Sequence, residues 1–398
     1  MRQIPVVMSL LVFSVLLAIS CSKSDPATIE PDPYAAIRAT FGANIDPNNL
    51  ENYSGQVRPA YIIRDNGGAN PITNAKATLG RVLFYDKRLS INNTISCASC
   101  HKQAFAFSDT AKVSLGVEGG ITARHSMRLI NARFSAETRF FWDERAASLE
   151  QQTTRPIQDH AEMGFSAQGG RPGLDSLLRK LAAVDYYQEL FRFVYGDVAV
   201  TEQRLQECLS QFVRSIQSFD TKFDAGRALV ANDPQPFPNF SPEENQGKQL
   251  FLAPPQFGPN GVRTGGGAGC AGCHRPPEFD IDPNSRNNGI IGTASGVGND
   301  IAVTRSPTLR DIVRFDGVIN GPLMHTGVIP DLRAAIAHYN NNININPINT
   351  NLDPRLTPGG NPQRLNLTAN EINNMLAFLR TLSGTNVYND RKWSDPFR

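Results

Sequence analysis

Cys97-Ala-Ser-Cys100-His101 and Cys270-Ala-Gly-Cys273-His274 are two copies of one pattern, Cys-x-x-Cys-His, in a chain of 398 residues. In a covalently attached haem, two cysteine sulfurs bond the former vinyl groups of the porphyrin and the adjoining histidine ligates the iron. Two intervening residues let one tight turn present both sulfurs. A redox dithiol does not require the histidine, and a structural zinc needs four closely grouped ligands. The repeat therefore predicts two haem c groups: Cys97, Cys100 and His101 hold haem 1, and Cys270, Cys273 and His274 hold haem 2.

Two such motifs divide the chain into two haem-carrying halves. Between them, Asn232-Asp-Pro-Gln-Pro-Phe-Pro-Asn239 cannot sustain a helix, because its three prolines lack the N–H that a helix needs. The boundary is placed there, with an N-terminal haem domain over 51–235 and a C-terminal one over 236–398. Ser241-Pro-Glu-Glu244 then reads as a capping box with proline in the first helical position, and Thr368-Ala-Asn-Glu371 as a second box. Apolar residues at helical spacing predict further helices over 75–84, 174–183, 186–194, 201–231 and 332–339, with Gly384 ending the helix after Thr368. The Gly/Asn/Pro-rich stretches 253–300 and 340–366 read as loop. No internal repeat beyond the haem motif is visible.

The first twenty residues differ from the rest. Arg2 precedes an apolar run, Val6 to Ile19, too short for a comfortable membrane span, so 1–20 reads as a signal peptide. Its end, Leu17-Ala18-Ile19-Ser20-Cys21, resembles a bacterial lipobox. Cys21 is thus the expected lipidation site and 21–50 a tether and lead-in, which puts the protein in the periplasm or cell envelope, held to a membrane by lipid. Of the six cysteines only Cys208 remains, and it falls in the stripe Leu205, Cys208, Leu209, Phe212, where a small apolar thiol suits packing. A net charge of +2 with no long charged block gives no case for nucleic acid. Spacing alone leaves the distal haem ligands open among Met127, Met163, Met324, Met375, His125, His160, His325, His338 and Tyr339.

From Leu79 to Gly384 the chain resembles the bacterial diheme cytochrome c peroxidase and MauG superfamily. The resemblance is carried by Leu79-Gly-Arg-Val-Leu-Phe-Tyr-Asp86, both haem motifs, Phe140-Phe-Trp-Asp-Glu-Arg-Ala146, Pro156 to Met163, Ser306-Pro-Thr-Leu-Arg310 and Met324-His-Thr-Gly327. It implies an all-α fold of two cytochrome-c-like haem domains with long loops and few strands, often dimeric. Haem 1 would be peroxidatic and haem 2 would deliver electrons. Glu162 would be the acid/base group that moves a proton during peroxide cleavage, and Trp142 an aromatic relay between the haems. Where peroxidases needing reductive activation carry a distal histidine, this chain reads Ser114-Leu-Gly-Val-Glu-Gly-Gly120, which implies an open haem 1. For haem 2 the resemblance implies Tyr339 as the axial ligand, with Met324 and His338 as alternatives. A phenolate would lower the potential and methionine would raise it. A calcium ion between the domains is also implied, although His125 stands at its asparagine position and Asn320 and Pro322 would offer carbonyls. The leading expectation is a peroxidase that reduces hydrogen peroxide with electrons from a small cytochrome c or cupredoxin. The alternatives are a MauG-like enzyme oxidising a partner protein or specialised substrate, and a diheme electron carrier without peroxide chemistry.

Overall fold

A computed structural model describes Met1 and residues 32–397, so Cys21 and the leader before it lie outside the described residues. The helices, in chain order, are α1 (Ala35–Phe41), α2 (Asn74–Tyr85), α3 (Cys97–Cys100), α4 (Leu149–Gln158), α5 (Leu174–Ala182), α6 (Asp185–Tyr195), α7 (Glu202–Ser215), α8 (Lys222–Arg227), α9 (Pro242–Leu252), α10 (Leu332–Asn341) and α11 (Ala369–Arg380). Strands β1 (Pro255–Phe257) and β2 (Arg263–Gly266) form one antiparallel pair, and β3 (His274–Arg275) and β4 (Asp280–Ile281) another. The protein is thus helix-rich with a few short strands, all four within the stretch expected to be loop. No helix among the described residues is long and apolar enough to cross a membrane.

Buried apolar side chains form two clusters. One gathers Ile37 to Ile216 and takes in Val387 and Trp393 from the C-terminal segment; the other runs from Phe223 to Leu382. Each is built on a pair of crossing helices that touch at a glycine. In the first, α2 meets α7 at Gly80, where a Cβ would overlap the Cys208 carbonyl; in the second, α9 meets α11 at Gly247, where a Cβ would overlap the Asn374 carbonyl. Backbones approach this closely only without a side chain between them. The lead-in helix to each haem motif is therefore docked in the same way, a repeat that the sequence does not display.

Most predicted helices form within a residue or two of their expected ends, and the serine and threonine caps at Ser241 and Thr368 close both capping boxes. The helix expected over 201–231 is instead two, α7 and α8, separated by 216–221. Asn131 holds the break open: its backbone N–H donates to Ile216 O (3.0 Å), and its side-chain oxygen accepts from Ser218 N (2.9 Å). Thr221 and Asp224 then cap α8 reciprocally. α11 ends at Arg380, ahead of the expected stop at Gly384, because Asp220 and Asp311 draw Gly384 and its neighbours into other hydrogen bonds. Besides α3, whose residues were expected only as a tight turn, two helices were not foreseen, α1 and α4.

Candidate haem centres

α3 is a single turn. The Ser96 hydroxyl and Ser99 cap it reciprocally, and the His101 N–H donates to Cys97 O (2.9 Å), which sets both thiols and the imidazole on one side. The second motif turns on Gly269, at φ 70°, and Cys273 N donates to Cys270 O (3.1 Å). Cys97, Cys100 and His101 line a cavity of about 690 Å³. Cys270, Cys273 and His274 line another of about 660 Å³. Both volumes lie within the range of cofactor pockets, ~300–1,000 Å³.

All four thiols stand free, and burial pushes them up, to about 12 at Cys97 and Cys270 and about 11 at Cys100 and Cys273. Burial pushes both imidazoles down, His274 to about 4, which keeps them in the neutral form that ligates metal. His101 Nδ1 lies 3.1 Å from Phe107 O, a bond that fixes the ring and leaves Nε2 for the iron. Two thiols and a neutral, oriented imidazole at the wall of each large cavity fit haem c.

The cavities share a wall. His125, Ser126, Met127, Arg128, Trp142, Arg305 and Pro307 line both. Trp142 is buried there, its indole N–H donating to His125 O (2.8 Å) and its own carbonyl accepting from Thr304 N and Arg305 N (3.0 Å each). The His325 ring meets it edge-on at 6.1 Å, and His125 N donates to His325 O (2.8 Å). Beside this wall, in the first cavity, Arg124 meets Asp143 and Asp300, at 2.7 Å each.

Glu162 is half-buried in the first cavity, and burial, helped by Asp159, pushes its carboxyl up to about 7. Its carbonyl accepts from Val117 N (3.0 Å), so the 114–120 loop holds the glutamate's backbone. Gly116 and Gly120 make that contact possible, since a Cβ on either would overlap the Ala161 carbonyl.

In the second cavity the three ligand candidates converge on Asn288. Its side-chain amide lies 3.2 Å from Tyr339 Oη and 3.3 Å from Met324 Sδ, and its carbonyl 2.9 Å from His338 Nε2. Tyr339 and Met324 line the cavity and His338 does not. Burial pushes the Tyr339 phenol up, and the Asn288 hydrogen bond opposes this. Met375 and His325 also line this cavity, Met163 lines the first, and His160 lines neither. His125 directs Nδ1 to Ala111 O (3.0 Å) and burial pushes it down to about 4. An imidazole among carbonyls is a donor set that does not suit calcium. Asn288, Arg128 and Arg305 are absent from the sequence-derived site; they lie in loop or at unremarkable positions, and only their tertiary partners mark them.

A family model for di-haem cytochrome c peroxidase, CCP_MauG, matches residues 74–229. The chain is 29% identical over 324 residues to the methylamine utilization protein MauG of Methylophilus methylotrophus, covering 79% of this chain and 84% of that protein. It is 30% identical over 281 residues to MauG of Methylorubrum extorquens, covering 68% and 70%. A crystal structure of a MauG-like protein associated with microbial copper homeostasis superposes with a TM-score of 0.63 at 27% identity, covering 86% of this chain and 99% of that one. The chain belongs to the di-haem cytochrome c peroxidase and MauG family. It is a diheme, peroxide-related oxidoreductase, and two haem c groups are the cofactors its family carries.

Proposed function

We propose that this protein reduces hydrogen peroxide at the haem 1 cavity, with electrons delivered through haem 2. The observation that carries the reading is Glu162, a carboxyl poised near 7 inside the cavity lined by His101. When bound, haem supplies the redox iron. Glu162 accepts a proton from hydrogen peroxide and returns it to the departing oxygen, so that peroxide, two electrons and two protons give two waters. Such a positioned group typically speeds the step ~100-fold or more. Trp142, in the shared wall, offers a route for electrons between the cavities, and the two cores support two haem domains, with the change of core between Ile216 and Phe223, ahead of the boundary expected near residue 235. A small cytochrome c or cupredoxin is the proposed donor, and the periplasm or cell envelope the proposed place of action.

A second reading, a MauG-like enzyme that draws the electrons from a partner protein or specialised substrate, is favoured by Tyr339 in the haem 2 cavity and by the two MauG relatives. Stopped-flow mixing of the oxidised holoprotein with hydrogen peroxide separates the two. Rapid multiple turnover of reduced cytochrome c supports the peroxidase; a long-lived oxidised species with negligible turnover supports the MauG-like enzyme. A resting ferric spectrum with no high-spin haem would overturn both and leave an electron carrier.

A further inference from the structure

Arg128 lines both cavities, yet it forms no ion pair among the described residues. Its one hydrogen bond runs from Nη2 to Thr308 O (2.9 Å), and its Nε is buried without a partner. The neighbouring guanidinium groups are matched differently. Arg124 meets Asp143 and Asp300, Arg305 meets Asp280 (3.5 Å), and Arg355 meets Asp282 (3.1 Å) and Asp353 (2.6 Å). Asp311 is near enough to act on Arg128 through space but forms no ion pair with it: its Oδ1 accepts from Gly384 N and Tyr388 Oη, and its Oδ2 is buried without a partner. Burial pushes Arg128 down to about 10, which leaves it charged at neutral pH.

A cation in this position costs several kcal/mol unless an anion meets it. Of the groups that haem c brings, only the propionate carboxylates are anions at neutral pH, and a guanidinium fork matches a carboxylate with two parallel hydrogen bonds. We infer that Arg128 receives a haem propionate at the wall between the two cavities and, through that ion pair, sets the reduction potential of the haem that carries it. This rests on the assignment of both cavities to haem c. Arg128 is a positioning residue here. Its charge favours the reduced iron, whose extra electron lies close to it.

The test is spectroelectrochemical titration of the full holoprotein in wild-type, Arg128→Gln and Arg128→Lys forms, after two haems per chain have been confirmed by absorption and mass. A wild-type protein without two haems would undo the underlying assignment, separately from this inference. In Arg128→Gln the midpoint of at least one haem is expected to fall, changing its reduced-to-oxidised ratio at fixed potential by about tenfold, which is ~59 mV for one electron. Arg128→Lys, which keeps the charge and loses the fork, is expected to shift less. The haem that moves is the one whose carboxylate is bound. Midpoints in Arg128→Gln that match wild type for both haems would overturn the inference. Should Arg128→Gln not accumulate as holoprotein, the propionate bending band in the resonance Raman spectrum of Arg128→Lys decides: a displaced band supports the pair, and a band identical to wild type refutes it.

Discussion

Trp142 donates its indole N–H to the main-chain carbonyl of His125, 2.8 Å away, and thereby fixes an aromatic plane in the wall shared by the two cavities. Replacing Trp142 with Phe keeps an apolar ring and loses the hydrogen bond. About 1 kcal/mol of stability should go with it, read by denaturant unfolding. Electron exchange between the haems should slow in flash reduction. Exchange at the wild-type rate would remove Trp142 from the route.

Glu162→Gln should retain both haems and slow the peroxide step by ~100-fold or more. The wild-type rate should rise with pH through about 7, as the carboxylate that accepts the proton forms, and the variant should lose that dependence. The stability sign is opposite. A carboxyl raised above its unfolded value binds more protons when folded, so the contribution of Glu162 to stability declines as pH rises from ~4.5 to about 7. A flat pH–rate profile in the wild type would remove the assigned role.

Gly116→Ala tests the support of that glutamate. The new methyl must displace the Ala161 carbonyl, one residue from Glu162, at a cost of about 1–3 kcal/mol. Peroxide reactivity should fall although no reacting group has changed. A variant with wild-type stability and rate would show that the 114–120 loop yields freely.

Tyr339→Phe should change the absorption spectrum of haem 2, and Met324→Leu should leave it close to wild type. The reverse outcome would make Met324 the ligand, with Asn288 bridging to a bystander tyrosine.

Arg310 is fully buried and grips Asp224 with two bonds of 2.9 Å. Asp224→Ala leaves that guanidinium unpaired and should cost about 3–5 kcal/mol, visible as a lowered melting temperature. Replacing both residues with apolar ones should cost less, because no charge is then stranded.

The two motifs were legible as candidate haem-attachment sites because their chemistry is local: five consecutive residues carry the whole requirement. Helices with a clean apolar stripe, such as α5 and α6, were legible for the same reason. α4 was not, since its buried face includes Thr153 and Thr154, and Thr154 is satisfied by a side chain from α7, Glu202. The break after Ser215 was hidden because Ile216 and Phe219 continue the apolar spacing while Asn131, remote in sequence, dictates the turn. Arg128 and Asn288 were invisible on the same principle, for their roles lie in the partners they meet or lack.

Trp393 closes the first core from the far end of the sequence, reaching Ser215 Oγ with its indole N–H (3.2 Å), while Tyr85 Oη donates to its carbonyl (2.6 Å) and Tyr53 Oη to Lys392 O (2.6 Å). A chain emerging N-terminus first would present Cys97 and Cys100 to the haem-attachment machinery long before that plug arrives. The first core would thus be completed only once the second motif had also passed, an order of assembly written into the path of the backbone.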